Sequence, residues 1–456
     1  MNAIRELAAD AYVWGSALVG AARLRHNVTR PDDPFARRPL SSAAAPINRL
    51  GHQSALSDPE LGVGVAPNVD TLYSLAWIDT DQEPFVLETP DFGDRYYSFQ
   101  IAFADTECAV CPGQRTHGSR LPPLFVHGAE YRGQVPDGMI AVPSRTRYAM
   151  IAGRVLVQPE DPDDVERVRS LQAQMRLRSL ARWDADDDDA NPISAQAPLP
   201  TADEVTDHAL LFLHQLGVVL GERVTADDER SLVESLTALG IEPDGGFDPD
   251  AIAPGDRDMV VAGLDDGRAR VDPKIDHLGH RANGWSVNLA GSNFGGDHLL
   301  RAAVAQNQIY VVPAEEAVYP VARVDANGDR LDGSRSYQLH LPAPLPAGAF
   351  WSLTVYGTPG PLVANELDRY AIGDRSPGLA WGANGSLTIE LQHRRPESGP
   401  NNWLPVPVGP FHLMMRLYWP DRTVLDGSWD PPPVEPIDTQ HTRSTAPQPD
   451  PAGDPT

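Results

Sequence analysis

Pro67-Asn68-Val69-Asp70-Thr71-Leu72-Tyr73-Ser74, running on into Leu75-Ala76-Trp77-Ile78, is where the chain changes from one periodicity to another. Upstream, residues 3–25 carry Ile4, Leu7, Ala8, Ala11, Trp14, Leu18 and Ala22 at mixed three- and four-residue steps. Such steps make a single apolar stripe and predict a helix. From about residue 63 to residue 157 the pattern is short β-like runs: 72–78, 85–88, 96–103, 124–127, 139–142 and 148–157. Pro, Gly and Asp separate them at the spacing expected of a sandwich or barrel.

Downstream, Pro162-Asp163-Asp164-Val165 opens a helix predicted to run to about Arg182, and a second helical region spans roughly 203–239. One more helix is predicted over 297–309, after which β-like runs return at 337–341, 349–356, 386–391 and 412–419. At 456 residues the chain is too long for one ordinary core. The expected plan is a helix plus β-sandwich domain at 1–160, a helical linking region with an acidic loop at 161–245, and a second β-sandwich domain at 246–435. Residues 436–456, rich in Pro, Asp and Thr, are expected to form a disordered tail.

The net charge of −26 disfavours nucleic acid and anionic membranes as partners, since both would be repelled. No apolar run is long enough to span a membrane, and the first residues lack a secretory signal, so a cytoplasmic location is expected. The run Asp184, Asp186, Asp187, Asp188, Asp189 is read as a solvated loop, with a divalent-metal or diphosphate site as the alternative. Lys274 is the sole lysine, which makes a P-loop nucleotide site or a pyridoxal Schiff base improbable. Cys108 and Cys111 form a lone C-x-x-C without further ligands at zinc-finger spacing, and are read as structural thiols. His277 and His280 could share a metal only if they lie on a helix, which Pro273 and Gly279 oppose. No G-x-S-x-G, G-x-G-x-x-G or H-E-x-x-H motif occurs. Neither a cofactor nor a metal is expected.

The candidate chemistry therefore lies in polar-aromatic clusters. Asn68 and Asp70 fit a turn after Pro67, where such side chains bond nearby backbone. They also fit the wall of a site: Arg95-Tyr96-Tyr97 could bring a guanidinium and phenols to Asp70, holding its carboxylate ionised to orient a substrate or water. Asp70 is then the candidate base, Tyr73 and Tyr97 the candidate proton donors, and Arg95 an anion clamp. Trp351, Tyr356, Arg369, Asn402, Trp403 and Arg416, together with Asn68, are candidate binding residues, because aromatic rings beside amides and arginines line small polar-ligand pockets. The competing reading makes the same aromatics core plugs whose polar ends bond backbone.

These segments resemble a family of bacterial proteins that pair two domains of unknown function, numbered 1254 and 1214. The N-terminal likeness rests on Ala11-Tyr12-Val13-Trp14-Gly15, the 67–74 segment, Arg95 to Phe99 and Gly113 to Gly118. The C-terminal likeness rests on Leu300 to Ala303, Asp325 to Gly333, Phe350 to Tyr356, Arg369-Tyr370, Gly385 to Leu387, Asn402 to Pro405 and Arg416 to Tyr418. The resemblance implies a mainly β, α+β fold of two jelly-roll-like antiparallel β-sandwiches joined by helices, often assembled as homo-oligomers. The family often carries an acid where this chain has Phe103. The function expected is acid–base chemistry on a small-molecule substrate without a cofactor: hydrolysis, elimination or isomerisation near the sandwich interface. The alternatives are a binding protein for a carbohydrate-like or polar aromatic ligand and, third, a metal-assisted cyclase or hydrolase.

Overall fold

The computed structural model describes residues 3–29, 40–60, 66–159, 161–223, 227–358 and 360–437. The N-terminal β domain is two facing sheets. One has the strand order Gly51–His52, Thr71–Asp79, Tyr148–Leu156, Tyr97–Phe103, Cys108–Val110. The other has the order Ile140–Ser144, Leu124–Gly128, Phe85–Glu88, Arg176–Ser179. Successive strands alternate between the sheets from Thr71 to Tyr97 and again from Ile140 to Arg176, the wrapping of a jelly-roll-like sandwich. Leu72, Ala76, Ile78, Phe99 and Ile101 from the first sheet meet Phe85, Leu87, Leu124 and Val126 from the second in one buried layer.

The C-terminal β domain repeats the design. Its larger sheet is built on Phe411–Pro420, paired with Ala347–Gly357 on one side and with Ala317–Val318 and Val321–Ala322 on the other. Its smaller sheet has the order Trp403–Pro405, Leu387–Gln392, Tyr337–Leu341, Val434–Pro436. Leu353, Val355, Leu413 and Met415 face Leu339, Leu387, Ile389 and Leu391 across this second core. The two-sandwich α+β fold expected from the sequence is present, with two parallel pairs, Leu124–Gly128 on Ile140–Ser144 and Leu387–Gln392 on Trp403–Pro405, added to the antiparallel ladders.

Helices make the third part. Ala3–Thr29 packs against Leu211–Leu220, Arg257–Ile275 and His298–Asn307, with Trp14, Leu18, Leu213, Leu216, Val260 and Leu264 in their shared core. Arg257–Ile275 lies where sandwich was expected, so the helical layer reaches beyond 245. Its weak apolar pattern has a packing reason. A Cβ on Gly263 would sit 2.2 Å from the Arg5 carbonyl oxygen and one on Gly267 2.7 Å from that of Ala9. Glycine lets the two backbones touch. The helix predicted from 162 to 182 is in fact Asp164–Gln172, the strand Arg176–Ser179 and the short helix Leu180–Asp184. The strand wins because it completes the smaller sheet beside Phe85–Glu88. At the C-terminus, Pro436 pairs with Tyr337, so ordered structure passes 435; residues 438–456 of the expected tail lie outside the described residues. No helix among the described residues is long and apolar enough to cross a membrane.

A half-buried histidine, His52, and a buried one, His412, give the fold a pH dependence. Burial lowers His52 to about 4, and burial with Arg323 nearby lowers His412 to about 3. Both start from 6.5, so the unfolded chain binds protons that the folded chain refuses, and stability falls as pH drops through that window. His412→Phe, which keeps the ring against Tyr356, is predicted to flatten the dependence of the urea midpoint on pH between 4 and 6.5. An unchanged slope would show that His412 is protonated in the fold.

Candidate functional site

A cavity of about 210 Å³ lies where the two sandwiches and the helical layer meet. Its floor is the outer face of the first sheet: Tyr73, Leu75 and Trp77 from one strand, and Met150, Ala152 and Arg154 from its neighbour. These residues alternate, as strand geometry requires, with Leu72, Ala76 and Ile151, which point into the sandwich core. Leu24 and Val28 of the N-terminal helix, together with residues 41–44, cover one side. The segment 308–311 covers another, and Tyr319, Met414 and Arg416 of the second domain close the end beside Ala66, Pro67 and Asn68.

Most of the wall is apolar; its polar groups include Ser41, Ser42, Gln53 and Ser57 on one side and two guanidiniums with their partners. Arg154 donates through Nε to the Tyr73 hydroxyl at 3.2 Å and through Nη2 to Gln100 Oε1 at 3.0 Å. Arg416 donates to Thr354 Oγ1 at 2.8 Å, to the Tyr356 hydroxyl at 2.7 Å and to the Ala66 carbonyl at 2.9 Å. Tyr319 stands within electrostatic range of both arginines, and burial raises its phenol so that it stays protonated. Gln308 uses Nε2 on the Tyr319 carbonyl, while its Oε1 is a buried acceptor without a hydrogen-bond partner among the described residues.

Three of the sequence candidates line this cavity: Asn68, Tyr73 and Arg416. Two others stand immediately behind it. Asp70 does not meet Arg95. Its Oδ2 accepts from Ser352 Oγ at 2.6 Å, and its Oδ1 from Arg375 Nη2 at 3.0 Å, both from the second domain. Tyr356 donates to the Pro67 carbonyl at 2.6 Å. The turn reading of Asn68 also holds, since its Oδ1 accepts from the Asp70 amide while its Nδ2 reaches the Tyr418 hydroxyl at 2.7 Å.

The remaining candidates lie elsewhere. Arg95 is clamped on Asp164 by two hydrogen bonds of 2.7 and 2.6 Å, so the proposed Arg95–Asp70 pair is replaced by Arg95–Asp164. Tyr97 lies in the first core, stacked on Phe92, and donates to the Gly118 carbonyl; burial raises it to about 12, so the expected proton donor is occupied and away from the cavity. Trp351 is in the second core. Arg369 holds the carbonyls of Pro400, Asn401 and Trp403, Asn402 brackets both backbone groups of Ala380, and Trp403 donates to the Gln392 carbonyl. These four residues serve the architecture of the second sandwich.

The thiols and acidic residues read from sequence are similarly occupied. Burial raises Cys108 to about 12 and also raises Cys111 well above the ordinary thiol value, which leaves little thiolate. Asp186 and Asp188 face Arg178, and Asp187 faces Arg182. His280 bonds Asp430 and His277 bonds the Asp276 carbonyl. Sequence reading missed Arg154, Tyr319, Gln308 and Arg375. An arginine inside the otherwise apolar run Tyr148–Leu156 was the available signal for the first.

Residues 47–179 match the family model Protein of unknown function (DUF1254), and residues 316–422 match Protein of unknown function (DUF1214). The chain belongs to the proteins that pair these two domains. The DUF1254 region contributes Tyr73 and Arg154 to the cavity, and the DUF1214 region contributes Tyr319 and Arg416. The fold is similar to that of the VPA0106 protein from Vibrio parahaemolyticus, with a TM-score of 0.69 at 20% identity over 95% of this chain and 100% of that one. An uncharacterised protein from Burkholderia cenocepacia aligns over 94% of this chain and 97% of its own at 13% identity, with a TM-score of 0.42. No curated protein matches the chain.

The pairing of Asp70 with Arg375 rather than with Arg95 is open to a double-mutant cycle. Asp70→Asn and Arg375→Met each break a buried ion pair, and each is predicted to cost about 3 kcal/mol in urea unfolding. Combined, they are predicted to cost clearly less than the sum, whereas Asp70→Asn and Arg95→Met add. Additivity of the first pair would sink the assignment.

Proposed function

We propose that this protein binds a small, largely apolar organic molecule in the cavity between its two sandwiches. The observation that carries this reading is the cavity itself: about 210 Å³, apolar over most of its wall, with two buried arginines among its polar lining groups. An apolar cavity of about 150 Å³ is known to take up benzene. The space here therefore suits a single ring or short chain with a small head group. A wall of Leu24, Leu75, Trp77, Met150, Ile309 and Met414 favours an aromatic or aliphatic body over a carbohydrate. The unpartnered Gln308 Oε1 adds to this reading, because a buried acceptor left empty is costly and a ligand donor would offset it.

The acid–base enzyme remains a second reading, with Tyr73 alone retained of the four catalytic residues expected. Asp70 finds no support as its base, since both of its oxygens are held by the second domain. Among the described lining residues there is no Asp, Glu or His. Tyr73 is the group this reading would use: its hydroxyl accepts from Arg154 and donates to no described residue, which leaves its proton for a ligand. On this reading Tyr73→Phe would abolish turnover of a bound substrate while leaving its affinity within a fewfold range.

The binding reading is tested by filling the cavity. Ala152 lies on its floor, so Ala152→Leu occupies the ligand's space. Among a panel of single-ring and short-chain acids, alcohols and amines, some members are predicted to raise the thermal midpoint of the natural protein and to leave that of Ala152→Leu unchanged. If no member of the panel shifts the natural protein, or if both proteins shift equally, the cavity is not the binding site.

A further inference from the structure

Five arginines are buried among the described residues: Arg25, Arg154, Arg178, Arg301 and Arg416. Three of them have a carboxylate within 4.0 Å, Arg25 with Glu222, Arg178 with Glu88 and Arg301 with Glu229. The two that have none are Arg154 and Arg416, and both line the cavity. All of their hydrogen-bond acceptors among the described residues are neutral. Arg154 has the Tyr73 hydroxyl, the Gln100 amide and the carbonyls of Ala152 and Tyr310. Arg416 has two hydroxyls and one carbonyl. Asp70 is the nearby acid, and Ser352 and Arg375 already hold both of its oxygens.

This distribution runs against the composition of the chain. Acidic side chains outnumber basic ones by 63 to 37, so a buried arginine without an acid is the unexpected case. The choice of arginine over lysine carries no information, because Lys274 is the sole lysine. The absence of acid partners does carry information. A guanidinium taken out of water and given only neutral acceptors keeps most of its desolvation cost. Asp70 acts on Arg416 from behind the wall, and two such groups in the lining of one largely apolar cavity still leave a positive field that an incoming negative charge would offset. The protonated Tyr319 phenol, within electrostatic range of both guanidiniums, adds a neutral donor to the same cavity lining.

We infer that the ligand of this cavity is an organic carboxylate: an aromatic or short aliphatic body against the Leu75, Trp77 and Met150 wall, with its carboxylate held by Arg154 and Arg416. This rests on the cavity being the binding site and goes beyond it by naming the ligand's charge and head group. A carboxylate is favoured over a phosphate by the size of the space and by the number of guanidinium N–H groups already engaged. A planar monoanion needs two or three donors, which the arginines and Tyr319 can supply, whereas a tetrahedral dianion needs more.

The test varies the head group on a constant body. Isothermal titration of the natural protein with 3-phenylpropionate, 3-phenylpropan-1-ol and 3-phenylpropylamine is predicted to show the acid binding roughly tenfold or more tighter than the alcohol, the scale set by charge-assisted hydrogen bonds. The amine is predicted to bind weakest. Arg154→Met and Arg416→Met are each predicted to reduce the preference for acid over alcohol while leaving alcohol affinity within a fewfold range. The comparison in the natural protein decides the matter even if one variant fails to fold. Equal affinity for acid and alcohol, or tighter binding of the amine, would overturn the carboxylate assignment and leave the cavity reading standing. No binding by any of the three, in a protein whose calorimetric unfolding is intact, would overturn both.

Discussion

The interaction on which the rest depends is the capture of residues 66–70 by the second sandwich. Asp70 is fixed between Ser352 and Arg375, Asn68 bonds Tyr418, Tyr356 holds the Pro67 carbonyl and Arg416 that of Ala66. Each contact joins a residue just ahead of the strand Thr71–Asp79 to the larger sheet of the other domain or to the turn that follows it. The strand that begins there carries Tyr73, Leu75 and Trp77 into the cavity floor. A shift of the segment would move the floor against Arg416, so domain docking and site geometry are one constraint. Buried ion pairs of this kind add little net stability but are expensive to break, which suits a device that fixes register.

A second junction works by the same logic. Glu316, fully buried, accepts from the Tyr96 hydroxyl at 2.7 Å and from Arg115 Nε at 2.8 Å, both in the first domain. Beside it Tyr96, Phe350 and Tyr418 form an aromatic knot, with Phe350 and Tyr418 stacked 4.0 Å apart. Each domain thus supplies a carboxylate that the other satisfies: Asp70 reaches into the second, and Glu316 into the first. The cavity lies alongside this junction, and its two arginines are the basic groups that the scheme leaves without an acid. Charge is balanced by carboxylates where the domains are locked, and the two arginines of the cavity lining have none within 4.0 Å among the described residues.

Much of the fold was legible in the sequence, because period-two runs separated by turn residues are a strong signal and the family motifs added the second sandwich. The helix Arg257–Ile275 was not, since Gly263 and Gly267 serve close approach of backbones rather than an apolar stripe. The candidate site was legible only in part. Asn68, Tyr73 and Arg416 were found because polar groups at the edge of a β-run stand out, but sequence proximity suggested Arg95 as the partner of Asp70. Its actual partner, Arg375, is 305 residues away, and only tertiary docking brings the two together. Asn402 and Trp403 show the converse: a conspicuous motif whose amide and indole are spent on holding loops. Arg154 was passed over because the run around it reads as an ordinary core strand, and its meaning depends on which face of that strand looks into the cavity.

The claim at the centre is that an anionic ligand enters the cavity and turns its charged end to Arg154 and Arg416. A crystal structure grown with 3-phenylpropionate tests this directly. The predicted density has the ring against Trp77 and Met150 and the carboxylate oxygens within hydrogen-bonding distance of both guanidiniums. Density with the carboxylate turned to solvent and the ring at the arginine end, or an empty cavity with ligand bound elsewhere, contradicts it.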